Sequence, residues 1–228
     1  MRSSKRHGDA GRRASRAVVV ALAAALVVVG RSSVATASTA PAPLWWWDTY
    51  DIAAIHEQGW TGEGVTIAVM DERINPDLPV FEGRSLTVAE GTLCEEGDET
   101  VSAEVTRGSE HGSAMAAMLI GNSAGAGGIR GIAPDADVIF YGTGRADGDG
   151  ECTSREDPDV LSHFGLGLQR AIDDGADIFT TSVGEPWESE EGDGAVSAEA
   201  IAKGVVIINS TSNPKPAWRS DRSELSTA

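Results

Sequence analysis

Several kinds of residue are scarce in this sequence, and each shortage removes a class of protein. Cysteine occurs only at Cys94 and Cys152. That is too few for a disulfide scaffold, and the pair lacks the spacing of a structural zinc site. Basic residues are outnumbered, 18 Lys and Arg against 35 Asp and Glu, for a formal charge of −17. So acidic a surface repels phosphate backbones, so nucleic acid is not expected as a partner. No apolar run reaches the ~20 residues that span a bilayer. Internal repeats are absent too, which argues against solenoids and propellers.

What the N terminus does contain is ordered like an export signal. Arg2, Lys5, Arg6, Arg12, Arg13 and Arg16 face one acid, Asp9, and the run "AVVVALAAALVVVG" follows. Then comes "VATAS", in which Ala35 and Ala37 bracket a small-residue cleavage site. Residues 1–37 therefore read as a secretory signal peptide cleaved after Ala37, with a retained signal anchor as the alternative. The Arg12–Arg13 pair leaves general secretory and twin-arginine export both open. Seven of the basic residues and one of the acids lie in that segment, leaving 11 against 34, or −23. In an exported protein Cys94 and Cys152 are expected to bridge two loops, the alternative being two free thiols. Closing that loop stabilises by about 4 kcal/mol on chain-entropy grounds.

Four apolar runs predict strands: "VTIAVM" (65–70), "DVIFY" (137–141), "DIFTTSV" (177–183) and "VVIINS" (205–210). They are continuous rather than alternating, as in a parallel sheet covered on both faces. Helical patterns lie between them. "SAMAAMLIG" follows His111, and "GAVSAEAIAKG" ends on Gly204. A third pattern opens on Asp157 and Pro158, ends at Gly175 and puts Val160, Phe164, Leu168, Ala171 and Ile172 on one stripe. Stretches 90–109 and 143–157 are acidic, rich in glycine, and read as surface loops. The alternation predicts an α/β fold with a doubly wound parallel sheet, whose sites form at the carboxyl ends of strands. Asp71 stands at one such end and Asn213 just past another.

On these residues the chain resembles the subtilisin-like serine proteases. "GVTIAVMDERINPDL" is similar to their aspartate block, and "HGSAMAAMLIG" with "GIAPDADVIFY" to their histidine block. "AIDDGADIFTTSVG" resembles the segment ending in the substrate-binding strand, and "AIAKGVVIINSTSN" the run ending in the oxyanion-hole asparagine. The resemblance implies a three-layer α/β/α catalytic domain over residues 61–213, with a lead-in at 38–60 and a polar tail at 214–228. The three tryptophans of the lead-in are expected to pack on that domain. It also implies Asp71 as the orienting acid, His111 as the base and Asn213 as an oxyanion donor. Ser182, Val183 and Gly184 match the strand that pairs with substrate; Ser210, Thr211 and Ser212 match the opposite wall of the specificity pocket. The substrate would be a peptide or protein, without an organic cofactor. Calcium sites are common in the family, but no ligands for one are matched here. The membrane would be met only during export or through a retained anchor.

The chemistry explains the residue types. A serine hydroxyl is a poor nucleophile until an imidazole takes its proton, and the imidazole needs a carboxylate to fix its tautomer. His111 at a helix start would feel the positive helix end, which disfavours its charge, while Asp71 favours it.

Three departures stand out. Glu72 and Arg73 replace the Thr or Ser and the Gly that follow the family aspartate, predicting a rebuilt or strained turn. Ser212 replaces a glycine, and Ala114 replaces a second histidine without evident consequence. No Gly-Thr-Ser-Met-Ala-type nucleophile block follows Asn213, so the base has no partner in these residues, and these residues alone are expected to be marginally stable or unfolded. A secreted pseudoprotease and a gene remnant are the rival readings. A further rival takes "GNSAG" (121–125) as a hydrolase elbow with Ser123 as nucleophile, although a helical pattern precedes it where an elbow needs a strand.

Overall fold

The computed structural model describes residues 44–125, 127–146, 152–156, 159–183 and 191–210, all within the unit Pro41–Ala228. Among the described residues five parallel strands form one sheet: β1 (Thr66–Asp71), β2 (Leu86–Val88), β3 (Asp137–Gly142), β4 (Ile178–Thr181) and β5 (Val206–Asn209). Their order is β2-β3-β1-β4-β5. Among the described residues five α-helices, α1 (Trp45–Thr49), α2 (Ile52–Glu57), α3 (Arg107–Ile120), α4 (His163–Asp173) and α5 (Glu191–Lys203), and a short 3-10 turn at Pro79–Phe81 accompany them. All four strands expected from the apolar runs are present.

β1 is the central strand because both its faces are apolar. Ile67 and Val69 enter one core with Ala116, Ala117 and Ile120 of α3 and with Val138 and Phe140 of β3. Ala68 and Met70 enter the other with Phe164, Leu168 and Ile172 of α4 and Val196 and Ala200 of α5. Adjacent residues in a strand point to opposite faces, so a strand covered twice has no polar positions to alternate with. Neighbouring strands are set by register, with Met70 opposite Tyr141 on one side and Thr181 on the other, and Asp71 opposite Gly142. From β1 the chain runs to β2 and β3 on one side, then crosses to β4 and β5 on the other. The carboxyl end of β1 thus lies where the winding reverses, the place where such sheets form crevices.

Several local expectations are corrected. The third helical pattern starts at His163, not near Asp157, because Ser162 caps it by accepting from the Gly165 N–H. Val160 lies outside that helix and is 51% exposed. β2 has only three residues, too few to carry a period. Of the three tryptophans, Trp47 is buried, with the Arg130 guanidinium 4.2 Å from its ring centre, whereas Trp45 stays 64% exposed. Stretch 90–109 is not all surface loop. Leu93 is fully buried in the core, and residues 107–109 are the first turn of α3.

Cys94 and Cys152 are bonded, their Cα atoms 5.0 Å apart. Arg155 reinforces that junction, donating to Thr92 Oγ1 and to the carbonyls of Cys94 and Gly97 at 2.8–3.0 Å.

Candidate active site

β1 delivers Asp71 fully buried at its last position. α3 delivers His111 from the facing layer. That helix is fixed at its start by a capping box: Thr106 accepts from the Ser109 N–H while Ser109 accepts from the Thr106 N–H. It is also pressed close to the turn after β1. A Cβ at Gly112 would stand 2.2 Å from the Arg73 carbonyl oxygen, so glycine is the residue that permits the approach. The result is a 2.8 Å hydrogen bond from His111 Nδ1–H to Asp71 Oδ1, which also accepts the Glu72 N–H at 2.8 Å. With Nδ1 donating to an acceptor-only carboxylate, Nε2 keeps its lone pair. The His111 side chain is 41% exposed, so this lone pair can meet a substrate-side hydroxyl.

His111 lies one turn inside α3 rather than at its start. The opposing influences resolve in favour of the acid: the Asp71 hydrogen bond, chiefly, holds the imidazole above its ordinary value of 6.5. Partial burial works against this, the charges of Asp71 and Glu72 assist it, and Arg107 opposes it. Glu72 is pushed up as well, first by burial and then by Asp71.

The unusual Glu72-Arg73 pair does not strain the backbone. Among the described residues only Asp51 and Ser123 carry a positive φ without being glycine. The turn is instead rebuilt as an extension of the sheet. Thr143 and Gly144 donate to the carbonyls of Asp71 and Glu72 at 2.8 and 2.9 Å. Arg73 Nε donates back to the Gly144 carbonyl at 2.9 Å, and its guanidinium lies 3.6 Å from Asp98 and 3.7 Å from Glu99. The buried guanidinium was signalled in the sequence only by its oddity after the aspartate; its acidic partners are more than 20 residues away and were not foreseeable.

The remaining candidates divide. Ser182 leaves β4 beside α3, its hydroxyl 3.1 Å from the sulfur of Met115, one turn beyond His111. Val183 follows, half-buried. Ser210 extends the pairing of β5 through its N–H to the Thr181 carbonyl at 3.1 Å. Gly184, Thr211, Ser212 and Asn213 lie outside the described residues. Ser123 belongs to no elbow. It follows the end of α3 in a loop, its N–H donating to Ile129, and no strand leads into it. The part of α3 from His111 to Ile120 separates them, roughly 13 Å of helix axis, with Ser123 beyond its end. Among the described residues no group of three or more His, Cys, Asp or Glu could hold a metal ion, and no helix is long and apolar enough to cross a membrane.

A buried carboxylate holding an accessible imidazole over the rim of a parallel sheet is the arrangement of a general base. Known proteins place the chain in a family. The profile of the subtilase family, peptidase S8, matches residues 62–227. The chain belongs to that family. It is 29% identical over 164 residues to subtilisin BL of Lederbergia lenta, covering 70% of this chain and 52% of that protein. It is 29% identical over 166 residues to the minor extracellular protease Vpr of Bacillus subtilis (strain 168), covering 69% and 19%. The chain thus spans about half, or less, of the relatives it matches. Among solved structures, a mutant of the protease domain of PatA matches at a TM-score of 0.54 and 22% identity, covering 66% of this chain and 50% of that one. The prenylagaramide maturation protease PagA matches at 0.51 and 18%, covering 69% and 49%. These likenesses establish the subtilisin-like α/β fold.

Proposed function

We propose that this chain is the acid- and base-bearing portion of a secreted serine endopeptidase that hydrolyses peptide bonds through an Asp/His/Ser triad. The 2.8 Å hydrogen bond between Asp71 and His111 carries this reading. In it, Asp71 fixes the His111 tautomer and stabilises the imidazolium formed when His111 takes the nucleophile's proton. The serine belongs to a Gly-Thr-Ser-type block not contained in these 228 residues. An extended peptide lies along Ser182, Val183 and Gly184 through main-chain hydrogen bonds, with Ser210, Thr211 and Ser212 as the facing wall. Asn213 donates to the oxyanion, a contribution of about 3 kcal/mol to the barrier. Residues 1–37 direct export and are removed after Ala37. Hydroxyl nucleophile and imidazole base suffice for acyl transfer, so the chemistry needs no organic cofactor, and calcium would serve only stability.

A second reading is a pseudoprotease that holds peptides without cutting them. Expression of the complete coding region that contains these residues separates the two. The product is expected to cleave extended peptides and to be labelled by a fluorophosphonate. His111→Ala should lower kcat by roughly 10⁶-fold, the loss that follows removal of a triad base. Peptide binding without cleavage or labelling would overturn the endopeptidase reading in favour of the pseudoprotease.

A further inference from the structure

Glu72 occupies a position in the site that the triad chemistry does not use. Its backbone N–H donates to Asp71 Oδ1, and its side chain folds against the first turn of α3. A Cβ placed on Gly108 would meet Glu72 Oε2 at 2.7 Å, so glycine there makes room for the carboxylate. Gly108 lies three residues before His111, on the same face of the helix. Asp71 Oδ2 and Glu72 Oε2 are both buried with no hydrogen-bond partner among the described residues. Carboxylate oxygens without donors keep their field undiminished in a poorly solvated setting. Of the cationic groups near Glu72, the His111 imidazole, itself held 2.8 Å from Asp71 Oδ1, acts on it more strongly than Arg107 or Arg145.

We propose that Glu72 is a positioning residue of the base: a second carboxylate that, together with Asp71, stabilises the His111 imidazolium. This rests on the reading of His111 as the general base. The charged groups around the pair are Asp71 and Glu72 from the end of β1, Arg107 from α3, and Arg145 from the segment after β3. The two arginines oppose the upward push of burial on Glu72. Arg107 weakens the imidazolium directly, and both favour the ionised carboxylate. Burial and Asp71 push the Glu72 carboxyl upward while Glu72 pushes His111 upward, so the two groups titrate as a coupled unit. The device is an imidazole that answers to two acids, one by a hydrogen bond and one by charge alone.

The test is the pH titration of the His111 ring protons by NMR in the 228-residue chain, which needs neither nucleophile nor substrate. Glu72→Gln keeps the shape and removes the charge; it should move the His111 midpoint to lower pH and leave a simpler, single-step curve. Glu72→Asp should restore much of the wild-type midpoint. An unchanged midpoint in Glu72→Gln, or a fall that Glu72→Asp does not reverse, would overturn the proposal. Because the readout is protonation, loss of the endopeptidase reading through absence of cleavage would leave this result standing, and the reverse holds as well.

Discussion

Gly112 offers the sharpest perturbation of the site, because one methyl group at that position separates its two halves. The Cβ of an alanine there would lie 2.2 Å from the Arg73 carbonyl oxygen and 2.9 Å from Cζ of Phe140. An ordinary carbon–oxygen contact needs about 3.2 Å or more, so α3 must withdraw by roughly 1 Å from the turn after β1. The Phe140 ring blocks the alternative of sliding sideways. A withdrawal of that size stretches the 2.8 Å Asp71–His111 bond to nearly 4 Å, beyond hydrogen-bonding range. Overpacking of this kind costs about 1–3 kcal/mol. Gly112→Ala should therefore lower the urea midpoint. It should also bring the His111 titration back toward its ordinary value, since the Asp71 hydrogen bond is the largest influence raising it. Gly194→Ala is the matched control. Gly194 lies exposed within α5 with nothing within 4 Å of a new Cβ, so alanine should be neutral or stabilise by up to about 1 kcal/mol. If Gly112→Ala keeps both the wild-type stability and the wild-type His111 midpoint, the close approach of α3 does not position the base.

Two further outcomes are expected. Reducing Cys94–Cys152, which closes a separation of 58 residues, should destabilise the chain by about 4 kcal/mol in equilibrium unfolding; a loss under about 1 kcal/mol would mean that Arg155 and the buried Leu93 already fix the junction. Stability should also depend on pH through His111. Its folded value is raised above the unfolded one, so its contribution is full below the unfolded value and is lost as pH rises through the folded value. Asp71→Asn should remove that part of the pH dependence, and persistence of the same slope in the variant would trace it to another group.

The sequence was most legible where a long pattern had a single physical explanation. The run ending at Asp71 read as a twice-covered strand, and a carboxylate at the tip of such a strand sits on the rim. His111 was found through the block around it, whereas the capping box that fixes its helix, at Thr106 and Ser109, begins in a stretch read as loop. Elements set by a few local hydrogen bonds were hidden. The three-residue β2 has no period, and Ser162 rather than the more conspicuous Asp157 and Pro158 starts α4. Arg73 could not be understood from its own surroundings. Its replacement of a glycine reads as strain until Gly144, Asp98 and Glu99 are seen to converge on its guanidinium. Long-range polar partners of this kind leave no periodic trace in a sequence.

Asp71 and His111 form one hydrogen-bonded unit, and proton NMR of the 228-residue chain observes that unit directly. A strongly deshielded Nδ1–H resonance that titrates with the His111 ring above 6.5 and disappears in Asp71→Asn is the result expected. A spectrum without that resonance, or a His111 midpoint indifferent to Asp71→Asn, would contradict it.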